Sequence, residues 1–135
     1  MALQYSTAVR NAELDALETT IGTAAVLKIR TGAAPANVAT ADSGTVLATM
    51  TLPSDWLAAA SSGSKAKSGT WQDTSADAAG TAAHFRIYAS DGTTAHIQGT
   101  VTATGGGGDL TLDNTSIASG QAITISSFSI TAANS

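Results

Sequence analysis

The stretch that decides the fold is Ala83-His84-Phe85-Arg86-Ile87-Tyr88-Ala89, then Ser90-Asp91-Gly92, then Thr93 through Thr104. Apolar and polar residues alternate on both sides of the Asp-Gly pair, the mark of two half-buried strands joined by a tight turn. Register follows from the faces. A two-residue Asp91-Gly92 turn would set Ile87 opposite His96 and mix apolar with polar. A three-residue Ser90-Asp91-Gly92 loop sets Phe85 opposite Ile97 and Ile87 opposite Ala95. It also places Gly92 where a bulged turn needs a left-handed residue. The expectation is therefore a three-residue loop, with Arg86 facing His96 and His84 facing Gln98 on the more polar side.

Upstream of the hairpin, Ala25-Val26-Leu27-Lys28-Ile29-Arg30 has the same period of two, with Lys28 and Arg30 pointing away from the apolar face. Thr31 to Gly44 is Ala-rich, contains Pro35 and reads as a long loop; Thr45 to Leu52 reads as a second strand closed by Pro53. Ser54 to Ala60 suggests one short helical turn anchored by Trp56, and residues 61–69 a flexible, mildly basic loop. A short strand is expected from Thr70. Downstream, Gly105 to Gly108 reads as a flexible connection to a strand at 109–113. Gln121 to Ala132 changes parity between Ile125 and Phe128, which requires a bulge or a strand passing between two sheets. At the other end of the chain, Ser6 or Thr7 can cap a helix that Gly22 ends, with Leu14, Leu17 and Ile21 on one stripe and Val9 beside it. That stripe packs on the protein's own sheet or on another subunit.

The reading is a mainly β protein, an antiparallel β-sandwich or jelly-roll-like barrel of six to eight short strands, with one N-terminal amphipathic α-helix. Residues 1–22 form an N-terminal helical arm and 23–135 a single β-sandwich domain. The 135 residues suit one domain of ordinary size. Ala supplies nearly half of the 43% hydrophobic content, and Ala, Gly, Ser and Thr together exceed half of the chain. Small side chains bury little apolar area each, so a modest monomer completed by contacts with neighbours is expected. Neighbours are expected to hold both chain ends as well, where small residues would otherwise fray.

Charge and chemistry narrow the function. Charged residues reach 12%, about half the usual share, and the net charge is −4. Nucleic-acid binding, which needs clustered Lys and Arg, is not expected; nor is a membrane span, since no apolar run approaches ~18 residues. The N-terminus lacks the basic start and apolar run of a signal peptide. With no Cys, thiolate chemistry and Cys-based metal sites are excluded.

The remaining candidates each have a plain alternative. His84 and His96 are the only histidines, and no Ser occupies a G-x-S-x-G elbow, so exposed or interface histidines are expected rather than a hydrolase. Asp109 and Asp113 would lie roughly 13 Å apart on one side of a strand, too far for a glycosidase pair. With Asn114 they lack the spacing of a Ca²⁺ loop. Gly105 to Gly108 precede Asp109 and a strand, not the Lys-Ser/Thr and helix of a phosphate loop. Trp56, Trp71, Tyr5 and Tyr88 are too dispersed for a sugar platform and are expected in packing. Lys65 and Lys67 could meet an acidic partner or solvent. No enzyme activity, catalytic residue, cofactor or metal is expected.

Three segments carry a resemblance: ALQYSTAVRNAELDALETTIG at the start, VLKIRTGAAPAN and DSGTVLATMTLPSDW, and the ending ITISSFSITAAN. Across most of its length the chain resembles small virion structural proteins of tailed bacteriophages. The resemblance implies a structural role in the particle, made in the bacterial host cytoplasm. It points first to capsid decoration (cement), a homo-oligomer, with a trimer expected, contacting other virion proteins such as the major capsid protein. A tail, collar or tail-tip position, or a secreted carbohydrate-binding β module, is the alternative. The resemblance carries no site residues.

Overall fold

A computed structural model describes residues 3–132; the expectation that neighbours hold the chain ends falls partly on 1–2 and 133–135, outside the described residues. Helix α1 is Thr7–Ile21. Strands follow as β1 Val26–Arg30, β2 Val46–Thr51, β3 Ser64–Ala66, β4 Trp71–Asp73, β5 Gly80–Thr81 and β6 His84–Tyr88. The chain continues with β7 Ala95–Ala103, β8 Leu110–Leu112, β9 Ser116–Ile117, β10 Ile123–Ile125 and β11 Ser129–Thr131. The protein is mainly β with one N-terminal helix, as its periodicity predicts.

α1 starts where Ser6 Oγ accepts the Val9 N–H at 3.2 Å. It stops at Gly22, whose φ of 94° suits a residue without Cβ. Gly22 N–H donates to Glu18 O at 2.9 Å. Leu14 and Ile21 are buried, and Leu17 packs against the core. The helix lies against β3, so its apolar stripe docks on this chain's own strands.

Five strands form the main sheet in the order β2-β1-β6-β7-β8. Its inner face carries Leu27, Ile29, Met50, Phe85 and Ile87, all at most 1% exposed. The ribbons β3–β11 and β4–β10 make a second layer over that face. A run of rings joins the layers: Trp56 to Trp71 at 6.0 Å, Trp71 to Phe128 at 5.5 Å, and Phe128 edge-on to Phe85 at 5.8 Å. Burial of such rings is the largest apolar contribution available to a chain with so few of them. The parity change after Ile125 has its reason here, because β10 pairs with β4 and β11 with β3. The strand passes between two ribbons.

Several expectations are corrected. The hairpin loop has four residues, Ser90 to Thr93, closed by Ala89 N–H donating to Thr94 O at 2.9 Å. The Asp91 carboxylate draws the Thr93 and Thr94 amides into the turn at 2.9 Å each, so Thr93 leaves the strand. Register moves by two: Ile87 faces Ile97, Phe85 faces Gly99, Arg86 faces Gln98 and His84 faces Thr100, with a shift between Ile87 and Tyr88. A two-residue slip preserves the faces, so the apolar side survives the error. Gly92 keeps its positive φ of 72°.

Residues 54–60 form no helical turn, although Trp56 is fully buried as the anchor. The expected flexible loop at 61–69 contains β3. β7 and β8 run parallel, Val101 beside Leu110, where an antiparallel ladder was expected. The glycines between them form a tight return rather than a loose tether. A Cβ on Gly106 or Gly108 would approach Thr102 within 2.8 Å, and Gly108 N–H donates to Thr102 Oγ1 at 3.0 Å.

Candidate functional site

Three features of the molecule concentrate charge or concave surface. The first lies on the outer face of the main sheet. Sheet register sets Arg30, His84, Arg86, Tyr88 and Gln98 on that face, and the loop 31–44 lies across them. Asp42, the single charged residue of that loop, is its centre. Arg86 Nη1 meets Asp42 Oδ1 at 2.7 Å and Arg30 Nη2 meets Oδ2 at 3.0 Å. Tyr88 donates its hydroxyl to Asp42 Oδ1 at 2.8 Å. Backbone carbonyls of the loop complete the set. Thr40 O and Asn37 O accept from Arg86 Nη2 at 2.8 and 3.1 Å, and Pro35 O accepts from Gln98 Nε2 at 2.8 Å. His84 Nδ1 lies 2.7 Å from Gly32 O.

The chemistry of this cluster is adhesive. Burial works against the Asp42 carboxylate, yet the Tyr88 hydroxyl and the Arg30 and Arg86 charges outweigh it and hold its pKa below the ordinary value. Burial raises the Tyr88 phenol above its usual range, and donation to Asp42 adds to that. At neutral pH the carboxylate is therefore ionised and the phenol protonated, so the phenol donates and the carboxylate accepts. His84, expected exposed or at an interface, is fully buried beneath the lid, while His96 is exposed. The structure does not bring the two histidines together. Register sets His84 opposite Thr100, further along β7 than His96.

A second ionic clip fastens the helix. Lys65 Nζ sits 2.7 Å from Asp15 Oδ1 and 2.9 Å from Glu18 Oε2, and its side chain is 2% exposed. Burial opposes the Lys65 charge, but bonds to Asp15 and Glu18 prevail and raise its pKa. Lys65 is thus committed within the chain rather than offered to an acidic partner. Lys67 donates to Gly69 O at 2.7 Å and lies over Trp71 at 5.9 Å.

A groove of about 440 Å³ opens between β7 and β11. Leu17, Phe85, Ile97, Phe128 and Ile130 supply apolar walls, and Gln98, Asp109, Ser129 and Thr131 the rim. Asp109 is occupied in holding the strand: its Oδ2 accepts Thr100 N–H at 2.9 Å and lies 3.2 Å from Thr100 Oγ1. Asp113 and Asn114 lie apart from it, beside a smaller recess on the β10 side. Trp56 donates to Gly22 O and Trp71 to Ser68 O, both rings fully buried. They are core anchors, and Tyr5 alone of the four dispersed aromatics has an exposed side chain.

Among the described residues no group of three or more His, Cys, Asp or Glu side chains is placed to hold a metal, and no helix is long and apolar enough to cross a membrane. Compared with known proteins, the chain matches no family model, no curated protein and no solved structure.

Proposed function

We propose that this protein is a structural subunit of a bacteriophage particle. In this reading it is a decoration (cement) protein that bonds to its own copies and to the major capsid protein on the head. The observation that carries it is the state of loop 31–44. Alanines and other small residues form its exposed surface, and the Asp42 cluster fastens it to a rigid sheet at several points. A loop already ordered loses little freedom when it docks, and small side chains let a partner's backbone come close. Repeated over a shell, weak contacts of this kind add by multivalency. A surface of Ser, Thr and Ala with 12% charged residues suits cohesion better than charge-steered encounter.

Electron microscopy of particles assembled with and without the protein tests this. Density lost from the outer head surface, together with heads that rupture more readily, is the expected result. Particles identical in both preparations would end the proposal, and density lost from the tail would move the protein there.

A further inference from the structure

Among the described residues, strand β11 has one satisfied edge and one open edge. It pairs with β3 alone among the described strands. Phe128 O accepts from Lys67 N–H at 2.8 Å, and Ala132 N–H donates to Gly63 O at 3.0 Å. In an antiparallel ladder, backbone groups alternate in direction, so residues 128, 130 and 132 address β3. The N–H and C=O groups of Ser129 and Thr131 then point the other way, into the 440 Å³ groove that these two residues line. Beneath that open edge, Ile97 and Ile130 are only half buried, and Leu17 is likewise half exposed at the side. Among the described residues, the second layer therefore stops one strand short of covering the main sheet.

The chain also carries a segment with the complementary pattern. Leu3-Gln4-Tyr5-Ser6 alternates apolar and polar and precedes α1 without regular structure of its own. Leu3 is 77% exposed and Tyr5 44%. Together with Val9 at 46%, they are the exposed large hydrophobic residues among those described. In its own subunit, then, Leu3 leaves most of its surface to solvent.

We infer that Leu3–Ser6 of one copy adds as a strand to the open edge of β11 in another copy, with Leu3 and Tyr5 seated in the groove between β7 and β11. Strand addition draws affinity from the main chain, here Ser129 and Thr131, and specificity from alternate side chains in pockets. Gln4 and Ser6 then face outward, in step with Ser129 and Thr131, whose side chains are also exposed. Every copy donates one arm and receives one, so a closed oligomer satisfies all arms and all grooves. This assembly belongs to the purified chain and needs no particle, so its failure and the failure of the particle role are separate outcomes.

Two half-competent variants provide the test. Leu3→Asp with Tyr5→Asp abolishes the arm and leaves the groove. Thr131→Pro removes the outward N–H while sparing the β3 ladder, a position at which edge strands accept Pro. By sedimentation, the wild-type chain is expected as an oligomer, each variant alone as a 13.3 kDa monomer, and an equal mixture as a heterodimer that grows no further. A synthetic peptide of residues 2–9 in excess is expected to disperse the wild-type oligomer, which keeps the test decisive if Thr131→Pro does not fold. A wild-type monomer at millimolar concentration would overturn the inference. So would an oligomer unmoved by the arm variant and the peptide.

Discussion

The two faces of the five-stranded sheet are closed by opposite means. On the inner face, Leu27, Ile87 and Phe85 meet the Trp56–Trp71–Phe128 rings. That contact is non-directional, and its strength follows the area removed from water. On the outer face the same strands present Arg30, Arg86 and Tyr88, and a loop of small residues covers them because one carboxylate can reach all three. That closure is directional. It holds only while each donor has its acceptor, and a buried donor left unpaired costs more than the bond contributed. Even in the intact protein, Arg30 Nε and His84 Nε2 are buried with no protein partner, so the polar lid is the less completely satisfied of the two closures. A chain poor in large side chains can afford one apolar core, and it closes the second face with charge.

The sharpest contrast is between the faces themselves. Trp71→Ala removes a fully buried ring that touches both Trp56 and Phe128, and about 3–5 kcal/mol of stability is expected to be lost in chemical denaturation. Asp42→Ala strands two buried guanidiniums. Because the Asp42 side chain is 36% exposed, solvent screens part of the penalty, and about 2 kcal/mol is expected instead. Hydrogen exchange should then rise in residues 31–44 and stay unchanged in β1 and β6. Equal, global unfolding by both substitutions would erase the distinction. Tyr88→Phe deletes one hydroxyl that serves Asp42 and Arg30, with about 1 kcal/mol expected by the same denaturation measurement.

The smallest effect near neutrality is that of pH. The folded pKa of Asp42 is depressed, so its stabilisation is complete above the unfolded carboxylate value of ~3.9 and is lost as pH falls through the lower folded value. The protection factors of the 31–44 amides, which divide out the intrinsic pH dependence of exchange, are expected to be level from pH 7 to about 5 and to fall below about 4. Asp15, depressed by its bond to Lys65, should loosen α1 over the same acid range, so peptide-resolved exchange is needed to separate lid from helix. A lid that opens on raising the pH above neutrality would contradict the assignment of Asp42 as its anchor.

Legibility along the chain followed the range of the interaction. The helix was readable because its caps, Ser6 and Gly22, lie within a turn of the groups they satisfy. β1 and the 84–104 hairpin were readable because alternation is local. The loop register was not, since Asp91 reaches forward to Thr93 and Thr94 and adds a residue to the turn. His84 and Arg86 looked like residues of a solvated face, and alternation correctly gave their side of the sheet. It could not tell that the side was covered. One signal was present: a lone Asp in an otherwise uncharged Ala-rich loop, with two arginines on the polar side of neighbouring strands.

From its sequence alone, this chain determined a mainly β protein with one capped helix, a core resting on few aromatics, and the two faces of β1 and of the β6–β7 hairpin. These follow from neighbouring residues and from composition. Only the tertiary structure decided that the polar side is buried under Asp42, that β8 runs parallel to β7, and that β11 has one edge unpaired among the described strands, above an apolar groove. Each of those depends on groups far apart in the chain meeting in space, and no local pattern records such a meeting.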